Sequence, residues 1–129
     1  MRLIITRHGE TEENQAGILQ GHLPGKLSVL GIEQARKVAL RLKDEKIDLI
    51  FSSDLARASD TAKEIAKFHP NVPVKFVKDL RERNYGEFQG KKESTFDSDG
   101  KNHNSLQWKK VETLEDLYNR QVISFIKSF

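Results

Sequence analysis

The sequence predicts an α/β fold, a mainly parallel sheet flanked by helices, and three observations carry that prediction. Short apolar runs at Leu3-Ile4-Ile5, at residues 47–53 and at Val74-Lys75-Phe76-Val77 have the length and β-branched content of strands. Two stretches of helical spacing, Ile32/Ala35/Ala39/Leu42 and Ala58/Ala62/Ile65/Ala66, alternate with them. That order implies crossover connections and parallel pairing.

Each element has its own local reason. Leu3-Ile4-Ile5 ends at polar Thr6-Arg7-His8-Gly9, as a buried parallel strand does when function sits at its carboxyl end. A loop marked by Gly17, Gly21, Pro24 and Gly25 follows, and Ser28 is placed to cap the first helix. The second strand, from Ile47 to Ser53, leads to a helix for which Ser53 or Asp54 serves as cap, and Pro70 and Pro73 close that unit. From Arg81 to Gln107 the chain is polar, carries Gly86, Gly90 and Gly100 and shows no core stripe, so a long functional loop is expected. Thr113-Leu114-Glu115-Asp116 resembles a capping box, and Leu114, Leu117, Val122, Phe125, Ile126 and Phe129 supply an apolar face to the last residue. With 129 residues, the whole span 1–129 reads as a single domain.

Composition excludes several classes of function. The chain has no cysteine, which removes disulfides, thiolate zinc sites and a cysteine nucleophile. No run approaches the roughly 18 apolar residues of a membrane helix, and Leu3-Ile4-Ile5 is too short for a signal peptide. These features fit the cytoplasm. Lys+Arg 22 against Asp+Glu 19 gives a net charge of +3, mixed along the chain, so neither a nucleic acid nor a membrane is an expected partner. Lys91-Lys92 and Lys109-Lys110 read as solvated surface.

The sharpest local feature is Arg7-His8-Gly9-Glu10-Thr11, directly after the first strand. A turn there aims side chains into the crevice where α/β sheets bind ligands. His8 offers an imidazole nitrogen as nucleophile and Arg7 a fork of donors for phosphate oxygens. Taken alone, the same triplet also fits a histidine that only bonds a backbone carbonyl. Arg57 begins the second long helix, so two parallel strand ends bring it toward Arg7. After the third strand, Glu82 and Glu87 are both candidates for a carboxyl group that protonates a leaving alkoxide.

Together these segments resemble the histidine phosphatase superfamily, the group that includes cofactor-dependent phosphoglycerate mutase. The matching pieces are Arg7-His8-Gly9-Glu10-Thr11, Asn14, Gln20-Gly21, Leu27-Ser28 with Gly31 and Gln34-Ala35, residues 52–58, and Leu80-Arg81-Glu82 with Gly86 and Gly90. The resemblance implies a phosphoglycerate mutase-like fold. It also implies that His8 accepts the phosphoryl group as a phosphohistidine, Arg7 and Arg57 clamp the phosphate, and Asn14 contacts it. By the same resemblance Glu82, rather than Glu87, is the proton donor, and Gln20 and Gly21 are substrate-binding residues at the pocket mouth. Arginines neutralise phosphate without a metal, so no metal or other cofactor is expected.

The family pattern also has a second histidine in a His-Gly turn after a later strand. His22, His69 and His103 all lack that context. The chain therefore reads as C-terminally truncated, an incomplete domain missing a strand and a helix. Its first strand is expected to have unpaired edge groups, and such a seam favours aggregation or a homodimer. The expected function is a metal-independent phosphomonoesterase acting on small phosphorylated metabolites, impaired by the missing histidine. The loop of residues 12–22 looks like the broad small-molecule phosphatases. Residues 80–86 are closer to the mutases, but the segment from Lys91 to Lys110 is short for a mutase insertion. The alternatives are a phosphoglycerate mutase-type phosphotransferase and a catalytically dead phosphoester-binding module.

Overall fold

The structure is a computed structural model that describes residues 1–96 and 106–127. In chain order it contains α1 (Glu12–Ala16), α2 (Val29–Leu42), β1 (Ile50–Ser53), α3 (Ala56–Ala66), β2 (Val74–Val77), α4 (Leu106–Lys109) and α5 (Leu114–Tyr118). Single 3₁₀ turns cover Lys78–Leu80, Gly86–Phe88 and Glu93–Thr95, and α5 runs on into a π-helical turn, Asn119–Ser124. The α/β class holds: β1 and β2 pair in parallel, from Ile50 opposite Val74 to Ser53 opposite Val77, with α3 between them in sequence.

Ser28 caps α2 as expected, its hydroxyl accepting the Gly31 N–H at 3.0 Å. The buried face is Gly31, Ala35, Ala39 and Leu42 rather than one that includes Ile32, which is 36% exposed. The reason is a backbone contact. A Cβ on Gly31 would stand 1.9 Å from the Glu10 carbonyl oxygen, so the first turn of α2 lies directly on the chain at residues 9–10. Ala39, Leu42 and Ile65 form the core where α2 meets α3, with Val38 and Ile50 packed on it.

On α3 the buried residues are Arg57, Ser59, Thr61, Ala62 and Ile65, while Ala58 and Ala66 are half-buried. Neither Ser53 nor Asp54 is its N-cap. Leu55 holds that position, Ser53 Oγ accepts the Leu55 N–H at 3.2 Å, and Asp54 is drawn off into an ion pair with Arg81. His69 is buried, its ring Nε2 donating to the Leu42 carbonyl at 3.0 Å and so completing the end of α2.

Two expectations are corrected. Leu3-Ile4-Ile5 is not a strand: it enters no ladder among the described residues, and its side chains are 67%, 42% and 84% exposed. Apolar, β-branched content becomes a strand only where neighbours complete the ladder and cover the faces. The stretch after β2 does have a core. Phe88, Trp108 and Val111 are buried together, with Leu19, Tyr85 and Phe96 against them. Its aromatics come at irregular spacing, in or beside two 3₁₀ turns and on α4, with ring centroids 4.8–6.0 Å apart, so no periodic stripe announces them. Gly100, His103 and Phe129 lie outside the described residues.

Thr113 caps α5 as expected, accepting the Asp116 N–H at 3.0 Å. The apolar face after it is only partly covered: Phe125 meets Phe51 edge-on with centroids 5.0 Å apart, while Leu114, Val122 and Ile126 are exposed. Among the described residues no helix is long and apolar enough to cross a membrane.

The contact at Gly31 generates a prediction with an unusual sign. Glycine to alanine inside a helix ordinarily stabilises by about 1 kcal/mol. Here Gly31→Ala drives a methyl group into the Glu10 backbone, and the expected result is a loss of roughly 2–3 kcal/mol in urea unfolding.

Candidate active site

The turn after residue 6 is fixed by hydrogen bonds from three sides. The Gly9 N–H donates to Thr61 Oγ1 at 3.1 Å, and the Thr61 hydroxyl donates to the Arg57 carbonyl at 2.8 Å, so one buried threonine ties the His8 turn to the first turns of α3. The Glu10 N–H donates to Gln34 Oε1 at 2.9 Å, and the Ser28 N–H donates to the Glu10 carbonyl at 2.9 Å. Thr11 is fully buried and caps α1 reciprocally with Asn14, each backbone N–H bonding the other's side-chain oxygen at 3.0 Å.

His8 is half-buried, with its ring Nδ1 2.7 Å from the Gly9 carbonyl oxygen. A carbonyl only accepts, so Nδ1 carries the hydrogen and Nε2 keeps its lone pair. Burial pushes the His8 imidazole below its ordinary range, and the positive charges of Arg57 and Arg7 act the same way. The Gly9 bond and the negative charge of Glu82 oppose them. Around neutral pH the ring is therefore a free base with one nucleophilic nitrogen.

A cavity of about 390 Å³ opens at this turn, lined by Arg7, His8, Glu10, Asn14 and Gln34. Arg7 is exposed, and Asn14 has committed its Oδ1 to the cap, which leaves the Nδ2 amide as what it offers to a ligand. Glu10 and Gln34 belong to the matched segments, but the sequence assigns them no role in the site. Glu10 is held by Gln15 Nε2 at 2.8 Å and Ser28 Oγ at 2.9 Å, and Gln34 is spent on the Glu10 N–H. A larger groove of about 490 Å³ between α2 and α3 lies elsewhere, and its lysines, Lys26, Lys63 and Lys67, pair with Glu12, Asp60 and Glu64.

The other expected residues are not in the lining of this cavity. Arg57 is only 4% exposed; its Nη1 donates to the Leu23 carbonyl at 2.6 Å, its Nη2 to the Gly21 carbonyl at 2.9 Å, and its N–H to that of Pro24 at 3.0 Å. Burial lowers its pKa, with Glu82 and Glu13 opposing. Gly21, at φ 52°, sits in the left-handed region, where a side chain would strike Gln89. Gln20 is buried, with its Oε1 beside Gly25 and without a hydrogen-bond partner. Glu82 is exposed and, among the described residues, its carboxylate is bonded only by the N–H of Arg83, at 2.7 Å, yet its charge reaches His8, Arg57 and Tyr85. Glu87 is held by Lys110, which lowers its pKa, and it exerts no such effect on His8. The structure thus separates two carboxylates that the local sequence left equivalent.

The chain is similar to known proteins in sequence and in fold. A family profile described as histidine phosphatase superfamily (branch 1) matches residues 3–127. Phosphoglycerate mutase-like protein 4 of Arabidopsis thaliana is 45% identical over 89 residues, 68% of this chain and 39% of the relative. The metal-independent phosphoserine phosphatase of the same plant is 46% identical over 91 residues, 68% of this chain and 37% of the relative. Among solved structures, a mycobacterial glucosyl-3-phosphoglycerate phosphatase in complex with VO3 superimposes with a TM-score of 0.77 at 32% identity, over 94% of this chain and 62% of that one. The chain spans less than half the length of these two curated relatives.

Two predictions follow from the geometry. Thr61→Val leaves the buried Gly9 N–H without an acceptor, and the expected loss is about 1–3 kcal/mol in denaturant unfolding. In Arg7→Gln a positive charge near His8 is lost, so protonation becomes easier. The His8 midpoint, followed by NMR of the ring, should lie below 6.5 in the unmodified chain and rise in the variant.

Proposed function

This chain belongs to the histidine phosphatase superfamily, and from that membership and the His8 cavity we propose that it is a phosphomonoesterase, acting through a phosphohistidine on a small phosphorylated metabolite. The observation that carries the reading is the state of His8: Nδ1 bonded to the Gly9 carbonyl, Nε2 free, and the ring kept unprotonated beside two arginines. Phosphatase names among the relatives support it.

In this reading the ester's phosphate enters between Arg7 and Asn14. His8 Nε2 attacks phosphorus and forms the N–P bond as the bond to the ester oxygen breaks. Glu82 delivers a proton to the leaving alkoxide. Water then attacks phosphorus, its proton passing to the Glu82 carboxylate, and inorganic phosphate leaves with His8 restored. Arg7 and Arg57 supply the positive charge that phosphoryl transfer demands. Phosphatase is preferred to mutase because the loop of residues 12–22 resembles the broad-specificity phosphatases.

One observation favours a second reading, a phosphoester-binding module without turnover. Among the described residues, His8 is the sole histidine lining the cavity, and Arg57 has both terminal nitrogens on loop carbonyls. Assay of the full chain with p-nitrophenyl phosphate separates the two. The expected result is turnover that falls roughly 10³-fold or more in His8→Ala, with a phosphoryl adduct on His8 after acid-free quenching and mass spectrometry. Phosphate binding with no turnover and no adduct assigns the binding module instead.

A further inference from the structure

The backbone that carries Glu82 is held by one side chain from a distant part of the sequence. Arg120, on the π-helical turn Asn119–Ser124, donates from Nη1 to the carbonyls of Asp79 and Arg81, both at 2.8 Å, and from Nη2 to that of Glu82 at 3.2 Å. Its other edge is fixed by a two-pronged ion pair: Nε to Glu112 Oε1 and Nη2 to Glu112 Oε2, each at 2.9 Å, with side chains 19% and 14% exposed. Glu112 holds the far end of the same segment. Its carboxylate accepts the Asn84 N–H at 2.9 Å, its carbonyl accepts Arg83 Nε at 2.7 Å, and its own N–H donates to the Asn84 carbonyl at 2.8 Å.

This density of contacts answers a specific need. The segment lies beyond the end of β2, and among the described residues no ladder fixes it and the carboxyl group of Glu82 is bonded only by the adjacent Arg83 N–H. The place of that carboxyl group relative to His8 then depends on where the backbone holds Glu82 and its Arg83 bond. A planar guanidinium is suited to the task, because its fork holds several carbonyls at once, whereas an ammonium is a single point. Gln121 Nε2 adds a bond to the Arg81 carbonyl at 2.7 Å, and Ser124 Oγ one to Asp79 Oδ2 at 2.9 Å. π-Helical turns are rare and frequently mark functional sites.

We propose that Arg120, locked by Glu112, is the positioning residue for Glu82, fixing the carboxyl group from which the leaving group takes its proton. The proposal rests on the phosphatase reading above and concerns the part of it that Arg120 never touches directly. It is specific because proton donation matters only for a poor leaving group. An alkyl phosphate releases a basic alkoxide and needs the proton; a dinitrophenyl phosphate releases a stable phenolate and does not.

The test compares those two esters on the full chain and on Arg120→Lys, Glu112→Gln and Glu82→Gln. The expected result for the first two variants is a fall in kcat of roughly tenfold to a hundredfold on the alkyl ester, at nearly constant KM. On the dinitrophenyl ester the change should be less than about twofold, and Glu82→Gln should give the same split. Equal losses on both esters are general weakening of the fold and overturn the proposal. If Arg120→Lys does not fold, Glu112→Gln gives the same readings. If the unmodified chain turns over neither ester, the phosphatase reading has failed, and NMR titration of the His8 ring decides the role of Arg120. Glu82 raises the His8 midpoint against Arg7 and Arg57, so displacing its carboxylate lowers that midpoint in Arg120→Lys as in Glu82→Gln. A midpoint that moves in Glu82→Gln and stays in place in Arg120→Lys overturns the proposal.

Discussion

At Gly9 and Gly31 two stretches of backbone lie on each other with no side chain between them, and the geometry of the His8 turn depends on that contact. A Cβ on Gly9 would stand 2.3 Å from the Gly31 carbonyl oxygen, and one on Gly31 would meet the Glu10 carbonyl oxygen more closely still, at 1.9 Å. The approach brings the cap of α2 within reach of the turn, so that Ser28 bonds both the Glu10 backbone and its carboxylate. From the opposite side Thr61 receives the Gly9 N–H. The turn is gripped between two helices. This is why residues 7–11 are well fixed although Leu3-Ile4-Ile5 before them enters no ladder among the described residues.

The same economy governs Arg57. A guanidinium at 4% exposure must have its donors met, and here the carbonyls of Gly21 and Leu23 meet two of them. The consequence runs both ways. The loop carrying Gln20 and Gly21 is pinned to α3 through the residue that also sends positive charge toward His8. A phosphate drawing on the remaining N–H donors of Arg57 would therefore also act on that loop. Gly25 belongs to the arrangement, because any side chain there would collide with Gln20 Oε1 and the Arg57 stem.

What the sequence made legible follows the range of each interaction. The α2 cap, the Thr113 cap and the alternation that gives β1, α3 and β2 are local patterns, and they read correctly. Residues that act through a partner far along the chain did not. Gly31 replaces Ile32 on the buried face of α2 because of Glu10, twenty-one positions earlier. Asp54 is lost as a cap to Arg81. Thr61 looks like an ordinary helix residue until Gly9 is placed against it, and Arg120 looks like a surface cation until the carbonyls of residues 79–82 are found around it. Resemblance makes Asn14 an expected ligand contact, while its capping bond with Thr11, which decides which of its amide atoms is available, is visible only in the structure.

The charges around His8 can be weighed as a proton inventory. Nucleophilic attack needs an imidazole without a proton on Nε2, and departure of the alkoxide needs a proton nearby. A carboxyl group close enough to serve the second requirement works against the first, since Glu82 raises the affinity of His8 for a proton. A phosphate monoester entering the cavity brings more negative charge and pushes in the same direction. Arg57 and Arg7 push the other way, and burial of the ring adds to them as the largest single influence. The arginines therefore do two things at once. In the proposed reaction they balance the charge of the phosphate, and they oppose protonation of the histidine. A binding module without turnover needs only the first of these. The bond from His8 Nδ1 to Gly9, which leaves Nε2 as the free ring nitrogen and adds no donor for an anion, is what favours the proposed chemistry over binding alone.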